Sequence, residues 1–158
     1  MRPASEADRA AIWRIMEPVI RAGETFALPL ELDEPEALAF WFAPGNDVLV
    51  AEDAGKVVGT YFLAANRGGG GAHVANCGYI TAAFAWGRGI ARAMCNDSLE
   101  RARARGFRAM QFNFVVSTNE RAIRLWESCG FTTVGRLPEA FRHPRSGYVD
   151  ALIMFRPL

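Results

Sequence analysis

The spacing of apolar residues along the chain alternates between the periods that are typical of helices and of strands. Between Ala11 and Val19 apolar residues recur every three or four positions, which predicts an amphipathic helix. Ser5 is a favoured helix cap, with Asp8 three residues later as an imperfect capping box. Gly23 ends this first helix.

The same spacing of apolar residues, together with turn and capping residues, predicts the other elements. Helices are predicted from Asp33 to just before Pro44, over 89–105 and over 119–129, and strands over 48–52, 57–63, 73–81, 109–116, 131–135 and 148–155. Residues 53–56 are predicted to form a hairpin turn, and 66–71, which include four consecutive glycines, a mobile loop. The order of elements is helix, helix, hairpin, strand, helix, strand, helix, strand, strand, which indicates a mixed α/β fold.

Length and composition predict one domain that spans residues 1–158, and half of these residues are apolar. The formal net charge of +1 argues against a dedicated nucleic-acid binder, which would carry a basic patch or stripe. No apolar run reaches the length that spans a membrane, and the N-terminus does not resemble a signal peptide. We therefore expect a cytoplasmic protein without nucleic-acid or membrane partners.

The three cysteines, Cys77, Cys95 and Cys129, form no closely spaced pair, and an odd number fits a reducing compartment better than a disulfide framework. His73 and His143 are far apart in the sequence, so no metal-ligand spacing is present and no metal is expected. The chain also lacks a convincing Ser/His/Asp or Cys/His arrangement for nucleophilic catalysis.

The clearest functional signal is the stretch Gly87-Arg88-Gly89-Ile90-Ala91, between the apolar run Cys77–Thr81 and a predicted helix. Glycines at such a junction allow the backbone to approach a ligand closely. The first N–H groups of a helix have no intrahelical partner, and the helix dipole adds positive potential there. Together these features suit a pyrophosphate.

A second motif lies downstream, Asn119-Glu120-Arg121-Ala122 followed by Leu125-Trp126-Glu127-Ser128-Cys129-Gly130-Phe131. With these two motifs the chain resembles the GNAT superfamily of acetyl-CoA-dependent N-acetyltransferases. The loop Trp86-Gly87-Arg88-Gly89-Ile90-Ala91 departs from that family at Trp86, where Arg or Gln is usual. Trp126 stands where many relatives have a tyrosine that protonates the leaving thiolate, so the resemblance supplies no side-chain acid at this position.

The resemblance implies the GNAT fold, a mixed and mostly antiparallel sheet flanked by about four helices, and acetyl-CoA as cosubstrate. It implies that the strand residues Tyr79, Ile80 and Thr81 lie along the thioester arm. The implied coenzyme contacts are Trp86, Gly87, Arg88, Gly89, Ile90, Ala91 and Arg92 near the phosphates, and Asn119, Ala122 and Trp126 on the following helix. Asn119 is also a favoured helix cap, and we expect it to serve both roles. Homodimers are common in the family, but no interface is marked in this sequence.

Two asparagines lie inside predicted strands, where this residue type is depleted. Asn76 lies in His73–Tyr79 and Asn113 in Met110–Val115. Burying an unpaired amide costs about 1–3 kcal/mol, so each side chain needs a partner, either local backbone or a ligand. A narrower resemblance, to fungal N-acetyltransferases that act on proline analogues such as azetidine-2-carboxylate, implies that Asn76 and Asn113 contact the substrate and, with Asn119, assist the transfer.

Candidates for the acceptor site come from the connection between the first two helices. Glu24 could accept an amine proton through water or contact a cationic substrate, although a solvated loop residue is the simpler interpretation. Phe26 could form an apolar wall or belong to the core. Tyr148 and His143 are weaker candidates for the same site.

The favoured hypothesis is direct acetyl transfer from acetyl-CoA to a small-molecule amine, with a proline analogue or another amino acid as the leading acceptor. The first alternative keeps the chemistry but takes a protein or peptide amine as acceptor. The second is an acyl-CoA-binding sensor without catalysis, which the departures at Trp86 and Trp126 motivate.

Overall fold

The computed structural model describes residues 1–158 and contains one seven-stranded sheet with the strand order β1-β2-β3-β4-β5-β7-β6. The strands are β1 Arg2–Pro3, β2 Asp47–Asp53, β3 Lys56–Ala65, β4 Val74–Thr81, β5 Ala109–Val116, β6 Thr132–His143 and β7 Gly147–Pro157. The α-helices are α1 Arg9–Ala22, α2 Glu34–Trp41, α3 Ile90–Ala104 and α4 Glu120–Ser128. Only β4 and β5 pair in parallel, so the predicted mixed, mostly antiparallel fold with four helices is confirmed.

The helices cover both faces of the sheet. Trp41 of α2 donates its indole N–H to the Thr60 hydroxyl at 3.0 Å, whereas Tyr61 donates to the carboxylate of Asp97 on α3. Thr60 and Tyr61 are neighbours on β3, and successive side chains of a strand point to opposite faces. Helix α2 therefore covers one face and α3 the other. Trp126 of α4 joins the α3 face, because its ring packs 5.0 Å from that of Tyr79.

The ends of α1 and the start of α2 agree with those predicted from the sequence. Gly23, at φ 62°, adopts the left-handed conformation that ends α1. Asp33 caps α2 by accepting from the Glu36 N–H at 2.9 Å, and the Glu36 carboxylate accepts from the Asp33 N–H. Residues 6–8 form a 3₁₀ turn before α1, where the Asp8 carboxylate accepts from the Ser5 N–H at 2.7 Å.

Strand β6 is much longer than the predicted strand over 131–135. Gly135 and Pro138 interrupt the apolar pattern there, and both residue types are disfavoured inside strands. Because β6 lies at the edge of the sheet, Pro138 does not break an inner ladder. The pairing with β7 is irregular between Leu137 and Phe141, and Glu139 has φ 50°. The two-residue strand β1 was not predicted, and Gly69–Gly71 form a short 3₁₀ turn within the predicted glycine loop.

The feature that positions the site is the short contact between β4 and β5. The two strands pair only at Val74 with Ala109 and at Ala75 with Met110, and beyond that point they separate. From Asn76 onward, β4 pairs with β3 on one side and leaves its other edge open. Every second residue of this edge directs backbone N–H and C=O groups toward the gap.

Candidate active site

A cavity of about 810 Å³ lies at the gap between β4 and β5. It extends from the connection between α1 and α2 to the first turns of α3 and α4. The predicted site residues that line it are Glu24, Phe26, Asn76, Tyr79, Ile80, Thr81, Trp86, Gly87, Gly89, Ile90, Ala91, Arg92, Asn113, Asn119, Ala122 and Trp126. Arg88 does not line the cavity, and its guanidinium pairs with the carboxylate of Asp53 on β2. A role of the Arg88 side chain at the phosphates therefore stays a prediction.

The glycine loop presents a continuous row of free backbone donors. None of the N–H groups of residues 87 to 92 donates to an acceptor within the protein. Gly87 and Gly89 have φ 78° and 77°, a backbone conformation that residues with a side chain rarely adopt. A Cβ on either glycine would meet open space. These N–H groups and the α3 dipole are suited to an anionic group such as a pyrophosphate.

The first turn of α4 forms the opposite wall of the cavity. Asn119 caps the helix, because its side-chain oxygen accepts from the Ala122 N–H at 3.3 Å, and it also lines the cavity. The Trp126 ring is 9% exposed and packs against Tyr79 and Phe112, with ring centroids 5.0 and 5.2 Å away. An indole is not a practical acid at neutral pH, so Trp126 does not supply the proton for the leaving thiolate.

Tyr79 lines the cavity with its ring, but its hydroxyl points into the core. The hydroxyl lies 2.7 Å from the Ser98 hydroxyl, which itself donates to the Cys95 carbonyl oxygen. Burial raises the pKa of Tyr79 well above its usual value. Burial also raises the pKa of the Cys77 thiol to about 12, so this thiol stays protonated near neutral pH. Neither group is suited to act as an acid or a nucleophile here.

Asn76 lies at the point where β4 and β5 separate. Its side-chain nitrogen donates to the backbone oxygen of Gln111 on β5 at 2.8 Å, one step beyond the last ladder pair, Ala75 with Met110. A side chain thus replaces the backbone bond that the diverging strands lose. Because the Gln111 carbonyl can only accept, the orientation of the Asn76 amide is fixed, and its oxygen has no donor partner.

Asn113 belongs to a chain of side-chain amides. Gln111 donates to the Asn113 oxygen at 2.8 Å, and Asn113 donates to the side-chain oxygen of Asn66 at 2.6 Å. Asn66 follows β3, and its own N–H donates to the backbone of Val74. The structure therefore brings Asn76 and Asn113 to one cavity, and it gives each a protein partner as well.

Aromatic rings form the apolar part of the acceptor end. Phe26, Phe40 and Phe62 line the cavity, and Phe62 packs edge-on against Trp41 at 5.1 Å. A Cβ at Gly78 would lie 2.5 Å from the Phe62 ring, so glycine is required at that position for this packing. Phe26 lines the cavity and also packs against Trp41, so it contributes both to the wall and to the core.

Glu24 is the only carboxylate among the residues that line the cavity. It forms an ion pair of 2.7 Å with Arg145, in the turn between β6 and β7. This pair joins the α1–α2 connection to the β6–β7 hairpin. His143 and Tyr148 lie outside the cavity: His143 is buried and accepts from the N–H groups of Arg145 and Ser146, and Tyr148 is 66% exposed.

Sequence reasoning missed four residues that shape this region. Gln111 and Asn66 orient the amide of Asn113, Arg145 pairs with Glu24, and Arg121 lines the cavity beside Trp86. Gln111 is two residues from Asn113 on the same strand, so the alternation of strand faces could have indicated it. The other three contacts join segments that are distant in the sequence.

Comparisons with known proteins agree with this geometry. A model of the Acetyltransferase (GNAT) family matches residues 13–131. The chain is 30% identical over 151 residues to N-acetyltransferase aca1 of Schizosaccharomyces pombe, covering 85% of this chain and 72% of that protein. The chain belongs to the GNAT family of acetyltransferases.

Two solved structures share its whole architecture. A GCN5-related N-acetyltransferase from Kribbella flavida superposes with a TM-score of 0.94 and is 45% identical, covering 99% of this chain and 96% of that one. YncA from Salmonella typhimurium, a putative acetyltransferase solved with its cofactor acetyl-CoA, has a TM-score of 0.86 and 26% identity, covering 99% and 92%. The protein is thus an acyltransferase that uses acetyl-CoA, as the sequence predicted.

The cavity fits this cosubstrate. The free N–H groups of residues 87 to 92 suit its pyrophosphate, and the open edge of β4 suits an extended amide-containing arm. Acetyl-CoA supplies the acetyl group in an activated thioester. No helix of the chain is both long and apolar enough to cross a membrane. No group of three or more acidic, histidine or cysteine side chains is arranged to hold a metal ion.

Proposed function

We propose that the protein acetylates the amine of a small molecule that carries a carboxylate close to that amine, with proline analogues and other amino acids as the leading acceptors. The observation that carries this proposal is the acceptor end of the cavity. It combines one carboxylate, Glu24, with the two strand asparagines Asn76 and Asn113 and an aromatic wall. The narrower resemblance to proline-analogue acetyltransferases points to the same class of acceptor.

The polarity of Asn76 supports contact with the amine itself. Its nitrogen is held by the Gln111 carbonyl, and its oxygen has no protein donor. That oxygen can accept a hydrogen bond from the N–H of the attacking amine. Asn113 has a second hydrogen on its side-chain nitrogen beside the one given to Asn66, and this hydrogen can bond an acceptor carboxylate.

Direct attack by the amine accounts for the transfer without an enzyme nucleophile. The lining includes no serine and no histidine, and its one thiol, Cys77, is protonated near neutral pH. The amine nitrogen gains the acetyl group, the thioester C–S bond breaks, and the amine proton ends on the coenzyme thiol. In this proposal Glu24, the one carboxylate in the lining, takes that proton through water and passes it on to the departing thiolate.

The ion pair between Glu24 and Arg145 favours a small acceptor over a protein. It ties the α1–α2 connection, which lines the acceptor end, to the β6–β7 hairpin. A peptide would need an open groove between these segments. A small amino acid needs only a pocket, and the aromatic wall formed by Phe26, Phe40 and Phe62 can enclose its apolar side.

The experiment is thiol release from acetyl-CoA across matched pairs of amines. Proline and azetidine-2-carboxylate are compared with pyrrolidine and azetidine, which lack the carboxylate, and with a short peptide that begins with proline. We expect turnover of the amino acids, at least tenfold less with the decarboxylated amines, and little with the peptide. Equal rates with and without the carboxylate, or turnover of the peptide alone, would contradict the proposal.

Substitutions then test the two asparagines. Asn76→Ala and Asn113→Ala are each expected to lower turnover of the preferred acceptor by at least tenfold. The matched control is Asn46→Ala, because Asn46 is also partly buried and bonds a backbone carbonyl, that of Trp41, but lies outside the cavity. If Asn46→Ala lowers turnover as much as the other two, the loss reflects stability and not substrate contact.

A further inference from the structure

We propose that Arg121 binds phosphate oxygens of acetyl-CoA and that the Trp86 indole holds its guanidinium in position. This inference concerns the coenzyme and does not depend on which acceptor the enzyme uses. Arg121 lies in the first turn of α4 and lines the cavity. Its guanidinium carbon is 6.0 Å from the centre of the Trp86 ring.

Trp86 is itself fixed in place. Its indole N–H donates to the backbone oxygen of Thr81, the last residue of β4, at 3.1 Å. The ring is 58% exposed at the edge of the cavity, so one face is available to a cation. A cation over an aromatic face is attracted by the ring quadrupole, and the planar guanidinium keeps its N–H donors free while it stacks.

Arg121 has no anionic partner in the protein. It makes no ion pair and no hydrogen bond, whereas the arginines around it are engaged. Arg124, on the same helix, pairs with Glu120 at 2.9 Å, and Arg88 pairs with Asp53. The only carboxylate that lines the cavity, Glu24, pairs with Arg145. The charge of Arg121 is therefore left for a ligand.

The surroundings of Arg121 define the charge of that ligand. The same part of the cavity contains the free N–H groups of residues 87 to 92 and the guanidinium of Arg92, which donates to Ser128 at 2.9 Å. Two cations and a helix N-terminus, in a part of the cavity that no carboxylate lines, form a site for a group with several negative oxygens. A guanidinium can donate two parallel bonds to one phosphate, which a single backbone N–H cannot do.

The test is the binding of acetyl-CoA, dephospho-CoA and S-acetyl-pantetheine, measured by calorimetry on the full chain without an acceptor. Arg121→Gln is compared with Arg124→Gln, which removes a similar charge from the same helix outside the cavity. We expect Arg121→Gln to weaken acetyl-CoA about tenfold, as for the loss of a charge-assisted hydrogen bond, and Arg124→Gln to leave it unchanged. S-acetyl-pantetheine, which has no phosphate, should bind both variants and the parent chain equally.

Dephospho-CoA identifies which phosphate is bound. If Arg121→Gln also weakens dephospho-CoA about tenfold, the pyrophosphate is the partner; if it does not, the 3′-phosphate is. The role of Trp86 is tested with Trp86→Leu alone and together with Arg121→Gln. We expect the double variant to bind acetyl-CoA at most about twofold more weakly than Arg121→Gln alone, because the indole acts through the guanidinium.

Two results would overturn the proposal. One is unchanged acetyl-CoA affinity in Arg121→Gln, with a melting temperature equal to that of the parent chain. The other is an equal loss of affinity in Arg121→Gln and Arg124→Gln, which would indicate a general charge effect. A Trp86→Leu loss that adds fully to the Arg121→Gln loss would overturn the assignment of Trp86 as its positioning residue.

Discussion

The side-chain nitrogen of Asn113 donates a hydrogen bond to the side-chain oxygen of Asn66 at 2.6 Å. Asn113 lines the cavity, whereas Asn66 does not and lies in the loop after β3. With Gln111 bonded to the oxygen of Asn113, both ends of this amide are held. An amide held at both ends presents its remaining hydrogen in one direction, which is the kind of order that a binding group needs.

We expect Asn66→Ala to raise the KM for the acceptor by about three- to tenfold, the effect of one lost hydrogen bond. The dissociation constant of acetyl-CoA should not change, because Asn66 bonds the backbone of Val74 at the start of β4, whereas the glycine loop follows the other end of that strand. Steady-state kinetics with the preferred acceptor and calorimetry with acetyl-CoA measure the two quantities. Asn66→Asp keeps an oxygen that can accept from Asn113, so it should restore most of the parent KM. A loss in Asn66→Asp as large as that in Asn66→Ala would argue against positioning.

The fold was predictable from the sequence because its signals are local. The periodicity of α1, the cap at Asp33 and the glycines at 87 and 89 each act within a few residues, and all correspond to elements of the structure. Strand β6 was predicted too short because its edge position, which tolerates Pro138, depends on the order of strands in the sheet. No single segment of the sequence determines the order of strands in the sheet.

The site was predictable only in part for the same reason. Strand asparagines indicated buried amides that need partners, and the structure gives Asn76 the carbonyl of Gln111 and Asn113 the side chain of Asn66. The first bond depends on where β4 and β5 diverge, and the second on a loop 47 residues away. Such contacts follow from tertiary structure and not from spacing. The roles of these asparagines in substrate binding stay predictions.

A substitution at Gly89 tests whether the glycine loop binds acetyl-CoA. Gly89→Asp places a carboxylate beside the free N–H groups of the loop, so we expect acetyl-CoA affinity to fall by at least a hundredfold. Gly45→Asp is the matched control, since Gly45 also has a positive φ, 93°, and open space at its Cβ, but lies outside the cavity. Calorimetry with acetyl-CoA should show the loss only at position 89. Unchanged affinity in Gly89→Asp would remove the loop from the coenzyme site.

Asp8 gives a prediction on stability and pH. Arg2 donates two hydrogen bonds of 2.8 Å to its carboxylate, and Ser5 donates from both backbone and side chain. The Arg2 guanidinium, and secondarily the Ser5 donors, hold the pKa of Asp8 well below its usual range. A lowered pKa stabilises the fold above the unfolded-state pKa of about 4, and the contribution is lost as pH falls below that value.

We therefore expect Asp8→Asn to lower the free energy of unfolding by about 1 kcal/mol at pH 7, since Arg2 is partly exposed to solvent. Urea denaturation at pH 7, 5, 4 and 3 measures the effect. The difference between the parent chain and Asp8→Asn should be constant from pH 7 to 5 and shrink below pH 4. A difference that stays the same down to pH 3 would mean that the ionised carboxylate is not the stabilising group.

Arg145 tests whether the ion pair with Glu24 restricts the acceptor. Arg145→Ala releases the β6–β7 turn from the α1–α2 connection, so we expect the rate ratio of a proline-initiated peptide to proline to rise by about fivefold or more. Arg142→Ala is the control, because Arg142 lies in the same hairpin and forms no ion pair. Acetyl-CoA affinity should be the same in both variants, which separates an effect on acceptor access from an effect on the coenzyme. If Arg145→Ala lowers the rates with proline and with the peptide equally, the pair supports the fold of the wall but does not select by size. The ratio of the two rates, and not either rate alone, therefore decides between restriction of access and simple support.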